Sequence, residues 1–178
     1  NFDGLHLGHQ KLFNFARKYK NKKNLKIGVI TFDPIPKMYF NKNLKNHKIS
    51  NLNQKLNYFS KFNVDFFIVK KFDKKFSKIK SFDFIRSILF KKLNSKYIFV
   101  SNNFRFGNKR EGDVKLLKSF ESRFKYKIIN PKPLKKKNKV ISSTFIRTLI
   151  KKGEITKANQ FLNRNWSIEG KVIYGRKL

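Results

Sequence analysis

Residues 1–32, NFDGLHLGHQKLFNFARKYKNKKNLKIGVITF, run from a glycine-bearing turn through a helical stretch into a short apolar strand, and that order sets the architecture. Leu12, Phe13, Ala16 and Tyr19 recur at helical spacing, which predicts an amphipathic helix over about residues 8–20. Lys26–Phe32 (KIGVITF) is short, apolar and rich in β-branched residues, the signature of a buried strand. Beyond it, Pro34 and Pro36 are expected to stop regular structure and force an extended loop. The alternation then continues. Leu52, Leu56 and Phe59 suggest a second helix, followed by a strand near Asp65–Val69. Ser81 is a candidate cap for a third helix with Phe84, Ile85, Ile88 and Leu89 on one face. Tyr97–Val100 reads as a strand, Ser101–Gly112 as a polar loop and Asp113–Phe124 as a helix. Tyr126–Ile129 reads as a strand and Pro131–Lys139 as a basic, solvated loop. Strands alternating with helices predict an α/β fold: an open, mostly parallel sheet covered on both faces. In such sheets ligands bind where loops leave the carboxyl ends of the strands, the edge expected to hold His6, Pro34 and Asn103.

The opening turn carries the first candidate chemistry. His6 and His9 are three positions apart and share one face at the start of the helix. Gly8 between them lacks a Cβ and lets a ligand approach the backbone. Free N–H groups and the positive end of the helix dipole favour an anion there, a phosphate above all. The plainer alternative is a pair of capping or surface histidines at a turn. A zinc pair is disfavoured, because the chain has no Cys and its third histidine, His47, sits in a polar stretch.

At 178 residues the chain is long enough for one domain, or a domain and a fragment, around a real core. Hydrophobic residues make up 39% and include 21 Phe, which excludes a disordered chain. No apolar run reaches membrane-spanning length, and no signal-peptide pattern opens the chain. The absence of Cys excludes a disulfide framework and suits the cytoplasm, the expected compartment. The chain begins at Asn1 without Met, so its true start is expected to lie upstream.

A formal charge of +34 raises the possibility of nucleic-acid binding. The charge is spread along the whole chain, however, and 36 of its 44 basic residues are Lys, where base readout favours Arg. Lys, Asn, Phe and Ile can all be written in A- and T-only codons, so an AT-rich genome would produce this composition whatever the function. Weak, salt-sensitive, non-specific binding to nucleic acid is expected as a by-product.

Three further stretches carry candidate site residues. Ile141–Arg147 (ISSTFIR) reads as a strand end, hydroxyl caps and a helix. Ser143 or Thr144 can cap the first turn, and Arg147, one turn on, can reach the same anion with a planar fork; an ordinary cap with a surface Arg is the alternative. Residues 102–112 (NNFRFGNKREG) combine aromatics, amides and glycines in one loop. Such a loop suits a planar heterocycle, or simply tucks Phe104 and Phe106 into the core. Thr31–Pro36 (TFDPIP) is a strand end and rigid loop, in which Asp33 can contact a ligand or metal, or form an Asx turn.

Taken together these segments resemble the bacterial FAD synthetases, the bifunctional riboflavin kinase/FMN adenylyltransferases. NFDGLHLGHQ is similar to the family's GxFDGxHxGHQ opening, with His6 and His9 in the HxGH motif. TFDPIPKMYF resembles TFxPxPxxxF, SNNFRFGNKREGD resembles the flavin-side loop Gx(D/N)FxFGxxRxGd, and ISSTFIR matches ISSTxIR. The order agrees across nearly the whole chain. Ala158–Leu178 resembles the linker into the riboflavin kinase barrel and stops short of that domain's phosphate-binding segments. Ile35 replaces a frequent His, Ser101 a frequent Gly, and Asn163 and Asn165-Trp166 the linker's Gly and Pro-Tyr.

The resemblance implies a Rossmann-like open parallel sheet of the HxGH nucleotidyltransferase type over residues 1–162. Residues 163–178 would form a linker and the first residues of a C-terminal β-barrel. It implies transfer of the adenylyl group of ATP to FMN, giving FAD and pyrophosphate, with Mg²⁺ accompanying ATP and with ATP and FMN as the small-molecule partners. It implies no membrane and no specific nucleic acid. His6, His9 and Arg147 would be catalytic; Phe2, Gly8, His9, Ser143, Thr144 and Arg147 would bind ATP; Asn103, Phe106 and Arg110 would lie on the flavin side; no protein metal ligand is implied. Riboflavin phosphorylation would belong to the complete protein. Two alternatives remain: another HxGH nucleotidyltransferase, acting on phosphopantetheine, nicotinate mononucleotide or glycerol phosphate, and a non-catalytic basic nucleic-acid-binding protein.

Overall fold

The computed structural model describes residues 2–44, 47–136 and 139–170. Helix α1 spans Leu7–Lys23, slightly longer than its hydrophobic spacing predicts, and buries Phe13 and Ala16. It ends where Asn24 enters the left-handed region (φ 50°) and donates its N–H to the carbonyl of Lys20. Lys20, Lys22 and Lys23 in the last turn complement the negative end of the helix dipole. Strand β1 (Gly28–Asp33) runs parallel to β2 (Phe66–Lys71), with Gly28 opposite Phe66 and Asp33 opposite Lys71. The Phe66 ring lies so close over Gly28 that a Cβ there would stand 2.3 Å from it, so any other residue at this strand position would push the half-exposed ring aside.

Between these strands the expected extended loop is corrected. The Asp33–Pro34 peptide is cis, and Pro36 opens a short helix α2 (Pro36–Phe40) at a first-turn position, where its missing N–H costs nothing. Helix α3 (Leu52–Ser60) is closed at its start by a capping box: the Asn51 side chain accepts from Gln54 N and the Gln54 side chain accepts from Asn51 N.

Short helices α4 (Lys74–Ser77) and α5 (Ser81–Asp83) lead into a π-helical segment, Phe84–Lys92, which buries Phe84, Ile85 and Leu89. Ser81 is not the expected cap. Lys80 holds that position, and the Ser81 N–H instead donates to Glu111 Oε1 at 2.6 Å. Strand β3 (Tyr97–Phe99) pairs in parallel with β4 (Lys127–Ile129). The single helix expected over 113–124 breaks into α6 (Val114–Ser119) and α7 (Glu121–Phe124) at Phe120, where ψ swings to 5°. The basic stretch read as a plain loop contains a small antiparallel pair, β5 (Lys135–Lys136) and β6 (Lys139–Val140); Lys137 lies outside the described residues. Helices α8 (Ser143–Lys151) and α9 (Ile155–Leu162) follow.

The fold is mixed α/β, with one correction to the predicted sheet. Among the described residues β1–β2 and β3–β4 are two separate parallel pairs, not one continuous ladder. Cover on both faces is also incomplete, since most of β2 is exposed and Phe66 keeps 41% of its surface. Helix α1 links the pairs. Phe13 packs against Phe59 and Phe62, and Tyr19 against Tyr97 and Phe99. Lys20 pairs with Asp65, whose other oxygen accepts from Ile27 N. The end of α1 thus lies at the amino ends of β1, β2 and β3, and its start, with His6, lies toward the edge where the strands finish.

Candidate functional site

The opening turn is strained and firmly held. Leu5 N donates to Phe2 O at 3.3 Å, and Phe2 (φ 49°), Gly4 (φ 76°) and Leu5 (φ 39°) all sit at positive φ, which is costly for the two non-glycine residues. Asp3, only 3% exposed, anchors the turn. Its carboxylate accepts from Ile49 N at 3.0 Å, Ser50 N at 3.4 Å and Arg147 Nη2 at 2.9 Å. Arg164 secures the next residue: its Nη2 donates to Gly4 O at 2.8 Å, while its guanidinium lies 3.8 Å from the centre of the Tyr58 ring.

This anchored turn delivers His6 to the N-cap of α1 and His9 to its first turn. The two rings stack at 3.7 Å with 19° between their planes, and Phe2 meets His9 edge-on at 5.1 Å. No side chain caps the helix. His6 is buried, and the Nδ1 atoms of both histidines are enclosed without a hydrogen-bond partner. The reading as capping or surface histidines is thereby corrected. Burial lowers the pKa of His6 to about 4 and carries His9 well below its ordinary value, so both rings are neutral near pH 7. Gly8 seats them: a Cβ there would come within 3.2 Å of the His6 ring. A buried and a half-buried imidazole, each with an enclosed, unpartnered Nδ1 at an uncapped helix start, form a preformed place for hydrogen-bonding oxygens of an anion.

Helix α8 approaches from the other side, with the expected cap corrected. Ser142, not Ser143 or Thr144, takes the N-cap and accepts from Phe145 N at 3.2 Å. Ser143 Oγ donates to Asp3 O at 2.8 Å, joining α8 to the opening turn, whereas Thr144 is exposed. Arg147 is not a free surface fork. Its Nε donates to His47 O at 2.8 Å and its Nη2 binds Asp3, so the guanidinium is fixed beside the same turn.

The second cluster lies after β3. Phe106 is 8% exposed, stacks on Phe104 at 5.5 Å and packs against Phe84, in agreement with the core alternative for this loop. Asn103 and Arg110 are exposed and, with Asn102, Arg105 and Asp113, line a cleft of about 380 Å³. Arg105 pairs with Asp113 at 3.1 Å, and the other Asp113 oxygen caps α6 through Leu116 N. Asp33 pairs with Lys48 at 2.5 Å. Among the described residues no cluster of three or more His, Cys, Asp or Glu could hold a metal ion.

Two residues were missed in the sequence. Asp3 is the hub that fixes Arg147 and the backbone at Ile49, and its only signal was an acid inside an otherwise apolar, glycine-bearing turn. Lys55, on α3, is buried at 3% exposure; hydrophobic spacing picks Leu52, Leu56 and Phe59 for that face and gives no hint of it.

The chain as a whole is similar to known proteins. The model of the FAD synthetase family matches residues 1–145. A bifunctional riboflavin kinase/FMN adenylyltransferase of Buchnera aphidicola (subspecies Acyrthosiphon pisum) is 39% identical over 178 residues, covering 100% of this chain and 57% of that protein. The protein of the same name from Escherichia coli K12 is 31% identical, with 100% of this chain and 57% of that one covered. The chain therefore spans just over half the length of these relatives. A crystal structure described as a macrolide-efflux protein from Streptococcus pneumoniae superposes with a TM-score of 0.80 at 28% identity, covering 92% of this chain and 54% of the other. No helix among the described residues is long and apolar enough to cross a membrane.

Proposed function

The chain belongs to the FAD synthetase family, and from that premise we propose that it carries FMN adenylyltransferase activity, joining ATP and FMN to give FAD and pyrophosphate. The observation that carries the proposal is the stacked pair His6 and His9, with both Nδ1 atoms enclosed and unpartnered at the start of α1. An oxygen of the FMN phosphate attacks the α-phosphorus of ATP in line, and the bond to the pyrophosphate oxygen breaks. This chemistry asks a protein for alignment and charge stabilisation more than for covalent help.

The histidines donate to the α-phosphate and to the leaving oxygen, with the N–H groups of the first turn of α1 beside them. Gly8 keeps the His6 ring in place, and Phe2 supports His9 from its edge. Ser143, Thr144 and Arg147 lie at the start of α8 for the β- and γ-phosphates, with Arg147 held in place by Asp3. Mg²⁺ accompanies the triphosphate through phosphate oxygens and water, since the described residues offer no cage of their own, and no step above depends on it. On the flavin side, Asn103 and Arg110 border the cleft, and Phe106, in the core next to them in sequence, holds the loop that carries them. Residues 1–162 would form the adenylyltransferase domain, and residues 163–178 the passage into a riboflavin kinase domain that phosphorylates riboflavin in the complete protein. The cytoplasm is the expected compartment.

An acceptor screen tests this directly. Purified protein is given ATP and Mg²⁺ with FMN, phosphopantetheine, nicotinate mononucleotide or glycerol phosphate, and adenylylated products are separated by chromatography. FAD as the sole product is the expected result. Adenylylation of another acceptor, with FMN untouched, would move the protein to a different HxGH nucleotidyltransferase.

A further inference from the structure

Lys55 is the only lysine among the buried polar residues of the described chain. It sits in the first turn of α3, which the Asn51–Gln54 capping box fixes in place, and Gln54 is tied in turn to Ser167 O at 3.0 Å. Amphipathic spacing would turn Leu52 and Leu56 inward at this point. The fold leaves both half-buried and encloses Lys55 instead. Its ammonium contacts Thr31 Oγ1 of β1 at 3.5 Å, and no carboxylate of the described residues lies within 4 Å of it. The nearby acids are committed elsewhere, Asp3 to Arg147 and Asp33 to Lys48.

An enclosed ammonium without an ion-pair partner costs several kcal/mol unless something anionic completes its surroundings. Lys55 is also close enough for its charge to act on His9; burial above all, with Lys48, lowers its own pKa against the opposing pull of Asp3 and Asp33. One region thus holds an enclosed ammonium and two enclosed imidazole nitrogens that lack partners, and its nearby carboxylates are already paired. The missing partner is an anion.

We infer that the Lys55 ammonium is a third donor of the phosphate site beside His6 and His9, contacting a non-bridging oxygen of a substrate phosphate. The inference rests on the adenylyltransferase reading for the identity of that substrate, which brings two sources of phosphate: the nucleotide and FMN. A fixed cation there neutralises charge that builds on the phosphoryl oxygens as the bond to the leaving group lengthens.

The test compares the wild-type chain with Lys55→Met, Lys55→Gln and Lys55→Arg. Three quantities are read: the thermal midpoint without ligand, the affinities for inorganic pyrophosphate and for FMN by calorimetry, and kcat and KM for FAD formation. Lys55→Met removes the charge and keeps most of the volume, so the unliganded protein should unfold at the same temperature or higher. Its kcat/KM should fall by about 10- to 1,000-fold, with Lys55→Gln similar and Lys55→Arg recovering part of the loss. Weakened pyrophosphate binding with normal FMN binding identifies the nucleotide as the source, and the converse identifies FMN. Unchanged affinities and kcat/KM in folded Lys55→Met or Lys55→Gln would overturn the inference and leave the adenylyltransferase reading standing. Lys55-dependent pyrophosphate binding in a wild-type protein that makes no FAD would do the reverse. Wild-type protein that binds neither ligand would overturn both.

Discussion

His6 has a neutral ring in the folded protein because the space around it is closed to water, and that has a consequence for stability. An exposed His6 in the unfolded chain takes up a proton near pH 6.5, whereas the buried ring does so only near pH 4. Between those values the unfolded state binds more protons, so stability rises with pH. The contribution is complete above about pH 6.5 and is lost as pH falls toward 4; at pH 5 it has dropped by about 2 kcal/mol. His9 acts in the same direction. Urea midpoints at pH 7.5 and pH 5.0 should therefore differ, the lower pH giving the lower midpoint, and His6→Gln should narrow the gap. Equal midpoints in the wild type would show that the imidazoles are not buried as described. Asp3 works differently at this scale. It performs no chemistry in the proposed reaction, yet it holds Arg147, Ile49 N and Ser50 N in one place, so a single acid decides where three parts of the site meet.

At the scale of elements, the start of α8 shows how a motif can be read correctly in composition and misread in role. ISSTFIR announces a hydroxyl cap, but three adjacent hydroxyl residues compete for it and local chemistry does not rank them. The backbone of Ser142 is extended (φ −144°, ψ 155°), which gives it the cap, while Ser143 turns to Asp3 O and Thr144 faces solvent. Ser142→Ala should thus cost about 1 kcal/mol of stability, and Thr144→Ala should leave the urea midpoint nearly unchanged. A larger loss for Thr144→Ala would reverse the assignment. The same limit explains other differences. Hydrophobic spacing located α1, α3, β1 and β3 because each buries an apolar stripe or run that its own residues write. It did not locate the break at Phe120, the helix opened by Pro36 or the enclosure of Lys55. The last depends on what a distant segment brings: Lys55 turns inward toward Thr31, 24 positions earlier.

For the whole molecule, the alternation of helices and strands predicted the α/β class, and the order of four motifs across the chain pointed to the family. The continuity of the sheet was not legible, because periodicity marks a strand and says nothing about which edges are paired. For the proposed site, spacing and residue type nominated His6, Gly8, His9 and Arg147, while Asp3 and Lys55 were hidden by being charged residues in buried positions. The charge of +34 acts at this scale too. Spread as it is, it should give binding to any duplex DNA at about 50 mM salt that is indifferent to sequence and falls steeply by about 200 mM. Measured by fluorescence anisotropy, binding that persists in high salt or favours one sequence would contradict a by-product of composition. FAD formation should be nearly independent of added DNA at the higher salt.

The claim on which everything else depends is that the buried histidine pair stabilises charge in adenylyl transfer. Its most direct test is the turnover of His9→Ala with ATP, FMN and Mg²⁺, FAD being followed by chromatography and folding by circular dichroism. A native spectrum with turnover reduced by about one to three orders of magnitude is the expected result. Full turnover in the folded variant would contradict it.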